Sequence, residues 1–138
     1  MKIFRNKNNL IKEISGLKNL GFVPTMGTLH SGHISLIRKA KKESKRVLVS
    51  IFINSKQFSS RKDFKKYPRN LNADINILKK KKVDYLYIPN EKDIYSFKVK
   101  KPLYLDKFSK KLCGKFRPGH FKAVVNVVNR FLEIIKPK

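Results

Sequence analysis

The amino-acid sequence predicts an α/β protein of Rossmann-like type, a parallel sheet with helices on both faces. Segments with apolar residues at helical spacing alternate along the chain with short apolar runs. The run Val47 to Ile53 is rich in β-branched residues, which is typical of a strand covered on both faces. Alternation of strands and helices predicts a parallel sheet with right-handed crossovers.

The individual elements follow from local patterns. Apolar residues at helical spacing predict helices over residues 8–18, 33–44, 70–81 and 121–135. Apolar runs predict strands over Leu20–Val23, Val47–Ile53 and Val83–Ile88, with a further short strand at Leu103–Leu105. Pro24 and Pro89 are expected to end the first and third strands. No internal repeat or Gly/Ser/Pro-rich linker divides the chain, so residues 1–138 are expected to form a single Rossmann-like domain.

The net charge of +25 needs an explanation, because 34 of the 138 residues are Lys or Arg. Lysine, asparagine and isoleucine are all abundant, as expected from drift in an AT-rich genome. Selected binding to polyanions and a positive field that recruits ATP are the alternatives. The lysines are spread along the chain, so nucleic acid is expected to bind only non-specifically, through charge.

Composition also limits the location and the chemistry. The first ten residues are polar and basic and lack the apolar core of a secretory signal, and no run of eighteen apolar residues predicts a membrane span. The single cysteine, Cys113, fits a reducing compartment, so the cytoplasm is expected. The sequence contains no cluster of His, Cys and carboxylate residues that would predict a metal ion bound by the protein.

The segment Pro24 to His33 carries the strongest chemical signal. A His-x-Gly-His element, His30 to His33, lies between a predicted strand and a predicted helix. A helix N-terminus offers unpaired N–H groups to phosphate, and Gly32 allows close backbone approach. The two imidazoles can donate hydrogen bonds to phosphate oxygens as charge develops, although histidines in such a place can also simply cap the helix.

This segment and those that follow resemble the pantothenate synthetase (pantoate–β-alanine ligase) family. The resemblance runs from about Gly21 to the end of the chain. It rests on Val23 to His33, Val49 to Asn54 with Gln57-Phe58, Tyr67-Pro68-Arg69, Asp74, Val83-Asp84, Pro89, Ile94-Tyr95, and Arg117 to Phe121. Other His-x-Gly-His nucleotidyltransferases share the first motif but not, as a rule, the Asn/Gln loop.

The resemblance implies a two-step, ATP- and Mg²⁺-dependent reaction. Pantoate attacks the α-phosphate of ATP to give pantoyl adenylate, and β-alanine then displaces AMP to give pantothenate, a precursor of coenzyme A. The resemblance also implies a homodimer formed through this domain.

The resemblance assigns roles to individual residues. It makes His33 the catalytic histidine, with His30 binding phosphate beside it. It assigns ATP contacts to Met26, Gly27, Thr28, Leu29, His30, Ser31, Gly32 and His33. It assigns the pantoate and β-alanine site to Gln57, Asn54, Pro24, Met26 and Arg117.

The chain departs from the family pattern in two ways. Ser55 and Lys56 stand where the family has proline and methionine, which predicts a more flexible loop and a less apolar pantoate site. The chain also stops before the family's second ATP motif and its C-terminal lid domain, so we expect an incomplete sheet and a truncated form. A different small nucleotidyltransferase and a non-catalytic basic remnant that binds nucleic acid are the alternative functions.

Overall fold

The computed structural model describes residues 1–96 and 120–135, and the side chains of the second segment from residue 126 onward. Helices and strands alternate in this part of the chain, as the sequence predicts. In chain order they are β1 (Lys2–Phe4), α1 (Lys7–Ile14), β2 (Leu20–Thr25), α2 (Ser31–Glu43), β3 (Arg46–Ile51), a 3₁₀ turn (Ser55–Gln57), α3 (Arg61–Lys66), α4 (Leu71–Lys80), β4 (Tyr85–Tyr87), α5 (Glu91–Tyr95) and α6 (His120–Ile135).

The described strands form one parallel sheet in the order β1-β4-β3-β2. β2 and β3 pair along six residues, from Leu20 opposite Arg46 to Thr25 opposite Ile51. Because all these strands run in the same direction, their carboxyl ends meet at one edge of the sheet. Ligands of parallel α/β sheets bind at this edge.

Helices cover both faces of the sheet, which confirms the predicted fold class. Along β3, Leu48 belongs to one apolar cluster, whereas Val47, Val49 and Ile51 belong to the other. This alternation follows from the two-residue period of a strand. The first cluster takes its helical partners from α1, α5 and α6, and the second takes them from α2 and α4.

The predicted end of the first long strand at Pro24 is wrong. β2 continues through Pro24 to Thr25 and keeps its pairing with β3. Among the described strands, β3 is the only neighbour of β2, so the missing N–H of Pro24 faces no ladder partner. Proline is tolerated in a strand in such an edge position.

Several other bounds and elements differ from the prediction. The first helix ends at Ile14 instead of residue 18, because the chain turns at Gly16, whose φ is +84°. The third predicted strand is shorter, covering Tyr85–Tyr87. The strand β1 and the short helices α3 and α5 were not predicted. The predicted strand Leu103–Leu105 lies outside the described residues.

Within the described segments, the helices are too short or too polar to cross a lipid bilayer.

Candidate functional site

A cavity of about 550 Å³ lies at the carboxyl edge of the sheet, beside the end of β2. Residues from the β2–α2 loop, the 3₁₀ turn and α6 line it, and its volume is within the range of about 300–1,000 Å³ usual for ligand pockets. The lining residues are Pro24, Thr25, Met26, Gly27, Thr28, His30, His33, Phe52, Gln57, Tyr67, Pro68, Val127, Val128 and Phe131.

The two histidines of the His-x-Gly-His element cap the N-terminus of α2. His30 is the N-cap residue, and its Nδ1 accepts a hydrogen bond from the Gly32 N–H at 3.0 Å. The His33 Nδ1 accepts one in return from the His30 N–H at 3.2 Å. The rings lie close together, with centroids 4.0 Å apart. This is a capping box in which imidazoles replace the usual Ser and Glu side chains.

This reciprocal cap determines where each neutral imidazole carries its proton. A ring nitrogen that accepts a hydrogen bond has no hydrogen, so the Nδ1 atoms of His30 and His33 are bare and the Nε2 atoms carry the protons. No described residue accepts a hydrogen bond from either Nε2–H. Helix capping occupies the Nδ1 atoms and leaves the Nε2 atoms of the same rings, so capping and the predicted phosphate binding do not exclude each other.

The surroundings of His33 favour its neutral form. Burial lowers the pKa of His33, and the neighbouring His30 lowers it further, while the Asp74 carboxylate opposes both effects. A neutral imidazole keeps Nδ1 available as an acceptor for the cap. His33 is therefore suited to donate through Nε2 near neutral pH.

The backbone between β2 and α2 bends sharply before it reaches His30. Gly27 has φ of +82° and Thr28 has φ of +52°, both in the left-handed region. The Thr25 hydroxyl donates to the Ser50 carbonyl oxygen at 2.9 Å and accepts from the Gly27 N–H at 3.2 Å. These bonds attach the start of the bend to β3.

The end of the same bend is held by Asp74, in the first turn of α4. One carboxylate oxygen accepts from the Thr28 N–H at 2.8 Å and the other accepts from the Leu29 N–H at 2.9 Å. Asp74 matched the family pattern in the sequence, but no role was predicted for it. The sequence did contain a signal for it, because helical spacing places Asp74 on the same buried face as Leu71, Ile75 and Leu78.

Two residues predicted to bind pantoate and β-alanine occupy different environments. Gln57 lines the cavity, and its Nε2 donates to the Met26 sulfur at 3.4 Å. Asn54 is fully buried, and its Oδ1 caps the 3₁₀ turn by accepting from the Lys56 N–H at 3.2 Å. The Asn54 amide nitrogen makes no hydrogen bond of normal geometry with a described residue, but Asn54 lies close enough to the Tyr95 hydroxyl to lower its pKa.

Ser55 and Lys56, which stand where the family has proline and methionine, make contacts with α5. The Ser55 hydroxyl donates to the Glu91 carboxylate, and the Lys56 ammonium lies 4.0 Å from the centroid of the Tyr95 ring. These contacts tether the turn where proline is absent. Burial raises the pKa of Tyr95, against the effects of Asn54 and Arg130, so the ring carries a neutral phenol beneath the cation.

The other predicted site residues are divided among three positions. Pro24, Met26, Gly27, Thr28, His30, His33 and Gln57 line the cavity. Leu29 packs against the core cluster shared by α2 and α4, and Ser31 and Gly32 are exposed in the first turn of α2. Arg117 lies outside the described residues.

A second cavity, of about 730 Å³, adjoins the first through Met26, Gly27 and Thr28 and extends over β3 and β4 towards Asn90. Neither histidine nor Gln57 lines it. We therefore place the candidate site in the smaller cavity, where the predicted phosphate-binding and acid-binding side chains meet.

Comparisons with known proteins agree on one family. The family described as pantoate-beta-alanine ligase matches residues 2–138. Pantothenate synthetase from Pseudothermotoga lettingae is 45% identical over 128 residues, which cover 93% of this chain and 46% of that protein. Pantothenate synthetase from Thermoanaerobacter pseudethanolicus is 47% identical over 134 residues, which cover 96% of this chain and 47% of that protein. The chain spans about half the length of these relatives.

Solved structures extend the agreement to the fold. A pantoate-beta-alanine ligase from Francisella tularensis, complexed with beta-gamma ATP and beta-alanine, is 42% identical with a TM-score of 0.82. The alignment covers 99% of this chain and 54% of that one. Pantothenate synthetase from Thermus thermophilus is 34% identical with a TM-score of 0.83, and the alignment covers 99% of this chain and 50% of that one. The chain belongs to the pantoate–β-alanine ligase family.

Proposed function

We propose that this chain carries the carboxylate-activating half of a pantoate–β-alanine ligase site. In the first step, a pantoate carboxylate oxygen attacks the α-phosphorus of ATP and the bond to the β-phosphate oxygen breaks, giving pantoyl adenylate and pyrophosphate. In the second step, the β-alanine amine attacks the acyl carbon, which releases AMP and a proton and gives pantothenate.

The observation that carries this proposal is the reciprocal cap of His30 and His33. It leaves two Nε2–H donors beside the cavity, at the N-terminus of a thirteen-residue helix. Donors held in place before the reaction stabilise charge that develops on phosphate oxygens without reorganising. We assign His33 as the catalytic donor and His30 as the phosphate-binding donor, with the Met26 to Gly32 segment around the nucleotide.

The remaining wall of the cavity suits the acid. Pantoate has a carboxylate, two hydroxyl groups and two methyl groups on one carbon, so it needs both polar donors and an apolar surface. Met26, Phe52, Val128 and Phe131 provide apolar surface, and Gln57 provides an amide. The Gln57 bond to sulfur is weak, so a ligand oxygen replaces the sulfur favourably. We include Pro24, Asn54 and Arg117 in this subsite as the family resemblance assigns them.

Mg²⁺ enters the proposal with ATP, since phosphate oxygens are the hard ligands that this ion prefers. Within the described segments, no group of three or more His, Cys, Asp or Glu side chains is arranged around a possible ion. We assign the metal to the nucleotide, as part of the substrate. A homodimer, and the cytoplasm as the location, complete the proposal, and sedimentation of the purified chain tests the first.

ATP–pyrophosphate exchange with and without pantoate tests the function. Two variants separate the roles of the two nitrogens of His33. His33→Asn places an oxygen near the Nδ1 position and removes the Nε2 donor, so we expect exchange to fall roughly 100- to 1,000-fold. His33→Gln retains a donor near the Nε2 position and loses the cap, so more exchange remains but about 1 kcal/mol of stability is lost.

The exposed Lys42→Ala, on the same helix, is the control for a general loss of positive charge. Exchange that does not depend on pantoate would assign the chain to another nucleotidyltransferase reaction. A folded chain without exchange would mean that adenylation requires more than these residues. Salt-sensitive nucleic-acid binding that is unchanged in His33→Asn would then favour the non-catalytic alternative.

A further inference from the structure

Asp74 is a buried acidic residue that makes no ion pair with the described residues. Its exposed fraction is 4%, and no Lys or Arg of the described segments lies within ion-pair distance of it. A buried carboxylate is costly unless hydrogen bonds replace its lost hydration. The N–H groups of Thr28 and Leu29, one on each oxygen, do so.

These two N–H groups belong to the strained part of the bend. Thr28 has φ of +52°, a conformation that residues other than glycine rarely adopt. The Thr28 hydroxyl also donates to the Pro68 carbonyl oxygen at 3.0 Å, which ties the bend to the segment preceding α4. Leu29 is followed directly by His30, so the direction of the chain at Leu29 determines where the cap begins.

We propose that Asp74 is a positioning residue for the adenylation step: by binding the N–H groups of Thr28 and Leu29, its carboxylate sets the direction in which His30 and His33 present their Nε2 donors to phosphate. This inference rests on the function proposed above. It predicts that removing one carboxylate oxygen displaces the donors even if the fold persists.

The charge of Asp74 also reaches His33. It opposes the lowering of the pKa of His33 by burial and by His30. Asp74→Asn is therefore expected to lower the pKa of His33 further. This change follows from the lost charge alone, so it reports the proximity of Asp74 to His33, and the exchange assay tests the positioning.

Asp84 provides a matched control within the same sheet. One oxygen of its carboxylate accepts from a backbone N–H, that of Val47, at 2.8 Å, and the other accepts from Arg46 Nη1 at 3.4 Å. Asp84 lies at the edge where the strands begin, opposite the candidate site. Loss of this carboxylate disturbs a similar backbone bond without disturbing the bend.

The experiment compares Asp74→Asn, Asp74→Glu and Asp84→Asn in the full chain. Each variant is measured for unfolding in urea, for ATP–pyrophosphate exchange at saturating ATP and pantoate, and for the NMR titration of His30 and His33. Asparagine has one acceptor oxygen, so one of the two N–H groups loses its partner and faces an NH₂ group. A displacement of this kind is expected to reduce exchange roughly 10- to 100-fold.

The proposal is supported if Asp74→Asn lowers both exchange and the pKa of His33, if Asp74→Glu restores part of the exchange, and if Asp84→Asn stays within about twofold of the wild type. It is overturned if Asp74→Asn keeps wild-type exchange or if Asp84→Asn loses as much. Absence of exchange in the wild-type chain counts against the proposed function instead. The imidazole ¹⁵N shifts of His30 and His33 then decide, and shifts that are unchanged in both Asp74→Asn and Asp74→Glu overturn the positioning role.

Discussion

Gly32→Ala is expected to impair the site while leaving stability almost unchanged. A Cβ at residue 32 would lie 2.8 Å from His30 Cε1 and 3.1 Å from His30 Nδ1. Ordinary contacts begin at 3.4 Å, so the ring has to move away by about 0.6 Å. That movement stretches the 3.0 Å bond between the Gly32 N–H and Nδ1 beyond hydrogen-bonding distance.

Two opposing terms determine the stability of this variant. Loss of an N-cap bond costs about 1 kcal/mol. Replacing glycine by alanine inside a helix gains up to about 1 kcal/mol, because the unfolded chain loses conformational freedom. The free energy of unfolding therefore changes by less than about 1 kcal/mol, whereas the His30 donor is displaced from its position beside the cavity.

Urea unfolding, ATP–pyrophosphate exchange and the imidazole ¹⁵N shifts of His30 test this expectation together. Ser35→Ala, an exposed change on the same helix, controls for an alanine substitution that meets no ring. We expect Gly32→Ala to reduce exchange at least tenfold at nearly unchanged stability, since a shift of this size misplaces the His30 donor of the proposed site. Wild-type exchange together with unchanged His30 shifts would refute the reasoning.

Three further predictions concern stability. The folded chain lowers the pKa of His33 below 6.5, so the stability that depends on its neutral form is complete above that pH and is lost as pH falls. His33→Asn should therefore flatten the decline in unfolding free energy from about pH 7.5 to 5.5. Phe131→Ala should lose roughly 3–5 kcal/mol, because its ring is 3% exposed among three aromatic neighbours, while the exposed Leu36→Ala should change little. Lys56→Met should lose about 0.5–1 kcal/mol in urea unfolding with the cation–π contact to Tyr95, and an unchanged value would mean that this contact contributes nothing.

The sequence predicts the central strands well because their burial leaves a local record. The run Val47 to Ile53 predicts a doubly covered strand, and β3 lies between two apolar clusters. β1 was missed because three residues, one of them the 40% exposed Ile3, carry too little pattern. The helices α3 and α5 were missed for a similar reason, since neither exceeds six residues.

The candidate site was predicted in its composition but not in its geometry. The His-x-Gly-His spacing identifies the residues, but the direction of the rings depends on which nitrogen the cap occupies. The tie from Asp74 to the bend joins residues 45 and 46 positions apart. A pairing over that distance arises from tertiary packing, so the local pattern places Asp74 on a buried helix face but does not identify its partners. The burial of Asn54 has the same origin.

The long sequence separation of this tie also affects the order in which the chain folds. The N-terminus of α2 can form early from local interactions, but the bend before it acquires its acceptors only when α4 has docked on the sheet. Contacts of high sequence separation form at the cost of loop closure and tend to appear late. The geometry of the candidate site therefore matures after the helix that carries it, and the amide hydrogen exchange of Thr28 and Leu29 reports the docking of α4.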